Sequence, residues 1–396
     1  MSALAGVCVL DLTRFLAGPY CTSILADLGA EVVKVEAPKG GDEGRYGYPT
    51  ADGVPIFFLA LNRNKRGITL DLRQAEGRAL FRQLLPHFDV LVENFAGGTL
   101  AAWGLAPEAL CREHPRLIVA SLSGFGQTGP WSARPSYDIV TQAASGFMSL
   151  TGFAGHPPTR GGGSLGDYVQ GLFGTIGILA ALAARAASGR GQAVDVSGQD
   201  GMFMLLDYWP TIAAATGRGP ARIGNRHLAT APYDCYRAQD GWVVIAVASN
   251  KFFRALAAAI GRPELGTDAR LRGVRGRVER SEEVNALVAT WVAARSVEEV
   301  MVALGPEGAG VPCSPVYTPE QLLAHPQLLA RGMVRRLPHP TLGEVVVPGV
   351  PIKLSATPGE VHRLGPELGE HNREIYEGLL GLGPEELARL REAVVI

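Results

Sequence analysis

Along the first 125 residues, short runs of β-branched and other apolar side chains alternate with segments of helical length. The runs are G-V-C-V-L-D-L at 6–12, E-V-V-K-V-E at 31–36, D-V-L-V-E-N-F at 89–95 and R-L-I-V-A-S-L at 116–122, and helices are predicted over 19–29 and near 73–86. Strands that are apolar almost continuously, rather than on alternate residues, are buried on both faces, the pattern of parallel strands between helical layers. An open α/β sheet is predicted, and such sheets bind ligands beyond the carboxyl ends of their strands.

From Gly166 a long helix is predicted to about Ser188, where S-G-R-G supplies a glycine for the C-cap, and a further helical stretch covers 198–216. Residues 217–226, G-R-G-P-A-R-I-G-N-R, read as a linker. Beyond it come a strand-like W-V-V-I-A-V-A, helices near 251–260, 281–294 and 297–304, a proline-punctuated stretch holding E-V-V-V-P-G-V-P-I, and a helical tail from about 367.

Composition narrows the function classes. The 396 residues are 47% apolar and 19% charged, with 37 basic against 38 acidic side chains and a net charge of −1. That balance excludes bulk electrostatic attraction to nucleic acid or an anionic membrane, so an anionic ligand must be gripped locally. Five cysteines (Cys8, Cys21, Cys111, Cys235 and Cys313) form no C-x-x-C pair, which favours neither a disulfide framework nor zinc and suits a reducing cytoplasm. The amino terminus lacks a basic n-region, so no signal peptide is expected. The apolar stretch 171–184 is shorter than the ~20 residues of a membrane span, and a buried helix is expected there.

One G-x-G-x-x-G match, Gly124, Gly126 and Gly129, follows a predicted strand, but Pro130 and Pro135 spoil the helix that a dinucleotide fingerprint requires. Walker, zinc-protease and serine-elbow motifs are absent, and no metal site is expected. What remains is a carboxylate in glycine-rich surroundings: G-G-G-S-L-G-D-Y-V-Q-G at 161–171 puts Asp167 at the mouth of the long helix. Helix capping is the commoner reason for an aspartate in such a place. As a nucleophile, with an ordinary pKa near ~3.9, it would be ionised at neutral pH and need no general base.

Several motifs in order, V-L-D-L-T-R-F-L-A-G-P-Y-C, D-L-G-A-E-V-V-K-V-E-A-P, N-R-N-K-R-G-I-T-L-D-L, V-E-N-F, S-G-F-G-Q-T-G-P, G-D-Y, G-N-R-H and L-G-E-H-N-R-E-I-Y, together resemble the class III CoA-transferase family, also called the carnitine-dehydratase and bile-acid-inducible family. The resemblance spans nearly the whole chain. It implies that Asp167 is the catalytic nucleophile, attacking an acyl-CoA thioester and passing CoA to a free carboxylic acid. CoA is then a substrate rather than a tightly bound cofactor, and ATP and metal are not needed. The family's CoA-binding positions resemble Leu16, Ala17, Asn62, Arg63, Asn64, Lys65, Asn94, Phe95, Tyr137 and Asp138, with Lys65 a candidate partner for a CoA phosphate.

The resemblance also implies a homodimer of interlocked chains, acyl-CoA and acid as the only small-molecule partners, and a chain divided as 1–225 (a Rossmann-like large α/β domain), 226–330 (a smaller α+β domain) and 331–396 (a return to the large domain). Leu16 stands where formyl-CoA transferases carry glutamine, and H-L-A-T-A at 227–231 replaces their glycine-rich loop, which points away from oxalate-for-formate exchange. Tyr137 stands where acyl-CoA racemases carry a histidine base; racemisation is the alternative reading, and an idle CoA-binding protein a third. Arg14 and Arg160 are candidates to hold the far carboxylate of a dicarboxylic acid.

Overall fold

The computed structural model describes residues 2–46 and 49–396. The chain forms two compact units, one of Met1–Ser149, Arg160–Gly219 and Pro326–Ile396, the other of Leu150–Thr159 and Pro220–His325.

The first unit is built on a six-stranded, all-parallel sheet of β1 (Cys8–Asp11), β2 (Glu31–Glu36), β3 (Arg66–Thr69), β4 (Val90–Glu93), β5 (Ile118–Ser123) and β6 (Ala193–Ser197), in the order β3-β2-β1-β4-β5-β6. The four predicted strands are its centre. Both edge strands escaped the sequence pattern for a physical reason: β3 has four residues beginning Arg-Gly, and β6, A-V-D-V-S, is largely open to solvent and lacks a continuous apolar run.

Alternate side chains serve two cores. Val9, Val32, Val90 and Ile118 pack with Cys21 and Leu25 of α1 (Ala17–Asp27), which follows β1. After β5 a long loop leads to α2 (Asp138–Ala144) and then α3 (Leu165–Ser188), whose Ile178 and Ala181 join the same core. On the other face Leu10, Val33, Ile68 and Val119 meet Phe81, Leu84 and the carboxy-terminal Tyr376 and Leu390.

Helix α3 has 24 residues and is long and apolar enough to cross a membrane by composition. One face of it is core: a Cβ at Gly171 would lie 2.7 Å from the Ala17 carbonyl oxygen, so glycine lets α3 approach α1 closely. The opposite face, with Leu172 and Ile176, is exposed, so burial is one-sided.

The stretch predicted as one helix over 198–216 is two, Gly198–Met204 and Trp209–Thr216. Pro210, lacking a backbone N–H, suits the first turn of the second. The tail predicted as helical from 367 holds α4 (Asn372–Leu380) and a helix at Pro384–Glu392, separated at Gly381 with φ +65°. The start of α4 seals the edge strand β3: His371 Nδ1 accepts the Gly67 N–H at 3.1 Å, Asn372 Oδ1 that of Thr69 at 2.8 Å, and Tyr376 donates its hydroxyl to the Thr69 carbonyl. Those contacts blunt an otherwise open sheet edge.

The second unit has an antiparallel sheet of β7 (Tyr233–Arg237), β8 (Trp242–Ala246) and β9 (Cys313–Pro315), with helices Asn250–Ala259, Ser281–Ala293 and Val297–Leu304 around one core.

Candidate active site

Strand order in the first unit reverses between β1 and β4, so the loops after these strands diverge and leave a crevice at their carboxyl ends. Two cavities open there. The first, about 420 Å³, is bordered by cationic Lys39 and Arg73 and by the aromatic pair Phe95 and Trp103. The second, about 210 Å³, holds Leu16, Ala17, Tyr137 and Asp167. Arg14, Phe95 and Ala96 belong to both cavities.

The loop after β1 is held from several sides. Arg14 exchanges backbone hydrogen bonds with the Asn94 amide, its N–H donating to Oδ1 and its carbonyl accepting from Nδ2, both at 2.8 Å. Phe15 sits at φ +60°, an unfavourable region for a bulky side chain, and its N–H donates to Asp42 Oδ1 at 3.0 Å. Asp42 is itself buried against Lys34 Nζ at 2.8 Å. So anchored, Phe15 meets the Tyr137 ring edge-on, centroids 6.1 Å apart, at the second cavity.

Asp167 lies in the first turn of α3, whose N-cap is Ser164. The capping alternative therefore fails for Asp167, and among the described residues no hydrogen bond or ion pair holds its carboxylate. Directly before it, the Gly166 N–H donates to Asp138 Oδ1 at 2.8 Å, and a Cβ at Gly166 would crowd that oxygen at 3.2 Å. Burial, reinforced by the negative charge of Asp138, pushes the Asp167 carboxyl up to about 7. The ordinary carboxylate pKa assumed from sequence is thereby corrected: burial and the neighbouring charge favour the protonated form more than in a free aspartate.

Of the residues singled out in sequence, Leu16, Ala17, Asn94, Phe95, Tyr137 and Asp167 come together around the second cavity. Asp138 does not line it; it is buried beneath, spent on Gly166, Gln142 and Arg160. The segment 62–65 lines neither cavity. Arg63 pairs with Asp27 at 2.6 Å, the Asn64 amide bonds Asp27 and the Glu360 carbonyl, and Asn62 accepts from Lys65. Lys65 is fully buried, its Nζ 2.9 Å from Asp11 Oδ2. Burial opposes both charges, and the attraction of Lys65 and Lys34 holds the Asp11 carboxyl below its ordinary range. The Lys65 Nζ donates to Asp11, the Pro19 carbonyl and Asn62, which leaves it no donor for a phosphate in this arrangement.

Lys39 and Arg73 went unnoticed in the sequence. Each follows the carboxyl end of a strand, Lys39 after β2 and Arg73 after β3, so a correct reading of T-L-D-L as the end of a strand would have flagged Arg73. Glu93 was also missed: it accepts the Phe95 N–H at 2.7 Å, and burial pushes its carboxyl up to about 7.

A family model described as CoA-transferase family III matches residues 4–372. The chain is 41% identical over 395 residues to a succinyl-CoA–D-citramalate CoA-transferase of Chloroflexus aurantiacus, covering 99% of this chain and 98% of that one. It is 40% identical over 398 residues to the succinyl-CoA–L-malate CoA-transferase alpha subunit of the same species, covering 99% and 92%. Its fold matches the crystal structure of a CaiB/BaiF family protein from Brucella suis with a TM-score of 0.84 at 36% identity, over 96% of this chain and 99% of that one.

Proposed function

Since this chain belongs to CoA-transferase family III and is an acyl-CoA:carboxylate CoA-transferase, we propose that it transfers CoA through covalent intermediates on Asp167. The observation that carries this is the position of Asp167: a carboxylate without an internal partner, facing a cavity that adjoins a larger one bordered by Lys39 and Arg73 and by four carboxylates, Glu36, Asp42, Glu43 and Asp71, that are paired with Arg45, Lys34, Arg14 and Arg73. The larger cavity suits the adenosine phosphate end of CoA, its phosphates near Lys39 and Arg73 and its base against Phe95 and Trp103. The pantetheine arm crosses at Arg14, Phe95 and Ala96 and delivers the thioester to Asp167.

There the Asp167 oxygen adds to the thioester carbonyl, the C–S bond breaks, and CoA leaves as thiolate, giving a mixed anhydride. The thiolate adds to the aspartyl carbonyl and expels the donor acid. The acceptor carboxylate then attacks the aspartyl-CoA thioester, and the returning thiolate completes the exchange. Each step forms one acyl bond as it breaks another, so the chemistry closes without an external energy source. At the amino end of α3 the Gly166 N–H is taken by Asp138, and the helix dipole favours the developing oxyanion.

The acids named for the two relatives, succinate, D-citramalate and L-malate, are dicarboxylic, and we extend that class to the acyl group carried here. The exposed apolar face of α3 supports a homodimer in which a second copy covers it, and five unpaired cysteines suit the cytoplasm.

Incubation with acyl-CoA followed by hydroxylamine or borohydride should modify the peptide containing Asp167. Exchange proceeding with that peptide unmodified overturns the proposal. Rapid enzyme-dependent α-deuteration of a 2-methylacyl-CoA in D₂O, independent of any acceptor acid, would instead establish the racemase.

A further inference from the structure

The two arginines that sequence offered as carboxylate holders are already engaged. Arg14 pairs with Glu43 at 2.8 Å and lies over the Phe95 ring. Arg160 does not line the Asp167 cavity; it faces Asp138 at 3.6 Å and donates to the Gly163 carbonyl.

Arg134 is different. It stands on the loop between β5 and α2 and lines the cavity that holds Asp167. Its guanidinium lies over the Trp131 ring at 4.2 Å, and among the described residues it has no carboxylate partner. The indole steadies the planar group while its N–H donors remain available for an anion. Arg14 is the cavity's other cation, and Glu43 neutralises it. Lys39, and Arg73 with its partner Asp71, border the other cavity, to which the proposed function assigns the nucleotide phosphates. An acyl group ending in a second carboxylate would bring a further negative charge into a site that already contains Asp167, and that charge needs a cation.

We propose that Arg134 is a specificity-determining residue that binds the far carboxylate of a dicarboxylic acyl group while the near carbonyl is presented to Asp167. The proposal rests on Asp167 as the nucleophile. Its planar, forked donors match a carboxylate in two hydrogen bonds, which a lysine at the same place would not reproduce.

The test compares the full-length enzyme with Arg134→Ala and Arg134→Lys, using succinyl-CoA and butyryl-CoA, four-carbon donors that differ in the far carboxylate. Charge-assisted hydrogen bonds of this kind are worth roughly tenfold to a hundredfold. Arg134→Ala should lower kcat/KM for succinyl-CoA by that factor and leave butyryl-CoA within about threefold, with Arg134→Lys between the two. Equal losses with both donors, as expected of a phosphate contact, overturn the proposal, as does no loss with either or a wild-type enzyme indifferent to the far carboxylate. Labelling of Asp167 by either donor separates this failure from failure of the nucleophile assignment.

Discussion

Asp138 accepts the backbone N–H of Gly166 at 2.8 Å and so fixes the residue immediately before Asp167, while its charge makes ionisation of Asp167 harder. One side chain thus fixes the backbone beside Asp167 and adds its charge to the burial that raises the Asp167 pKa. Asp138→Asn keeps an acceptor for Gly166 but removes the charge, and the acidic limb of kcat/KM should move to lower pH. Asp138→Ala also orphans the N–H, which costs about 1–3 kcal/mol and should lower kcat. An unmoved acidic limb in Asp138→Asn would show that the charge does not reach Asp167.

In the wild-type enzyme, transfer should fall as pH drops through about 7, because the ionised form attacks. Stability runs the other way. The folded carboxyl is raised to about 7 from an ordinary value of 3.8, so between those values the folded state holds more protons and loses stability as pH rises. Asp167→Asn should therefore be inactive yet melt at a higher temperature than wild type at pH 8, the gap closing toward pH 4. Thermal melts of both proteins across that range check the sign.

Lys65 and Arg73 should separate folding from binding. Lys65→Ala leaves the buried Asp11 charge without its ion-pair partner, with only the hydrogen bonds from Thr13 and Thr22 remaining, a loss of about 3–5 kcal/mol, and should lower Tm sharply while the folded fraction keeps its KM for acyl-CoA. Arg73 is largely exposed and pairs with Asp71, so Arg73→Ala should leave Tm nearly unchanged and raise KM more than it lowers kcat. The reverse pattern in chemical denaturation and steady-state kinetics would return Lys65 to the ligand.

What the sequence determined by itself is whatever follows from local pattern and ordered motifs. The buried strands β1, β2, β4 and β5, the helix from 165 to 188 and the carboxylate at its start were all legible, because a strand covered on both faces must be apolar throughout and glycines concentrate where backbone must approach backbone. Tertiary structure decided what depends on partners distant in the chain. Lys65 and Arg73 are eight residues apart and both basic, yet one is buried against Asp11 and the other stands at a cavity rim, since Lys65 precedes β3 and Arg73 lies beyond its carboxyl end. Likewise Asp167 reads as an ordinary carboxylate until folding buries it near Asp138, because desolvation and the field of a neighbouring charge exist only once the chain is folded.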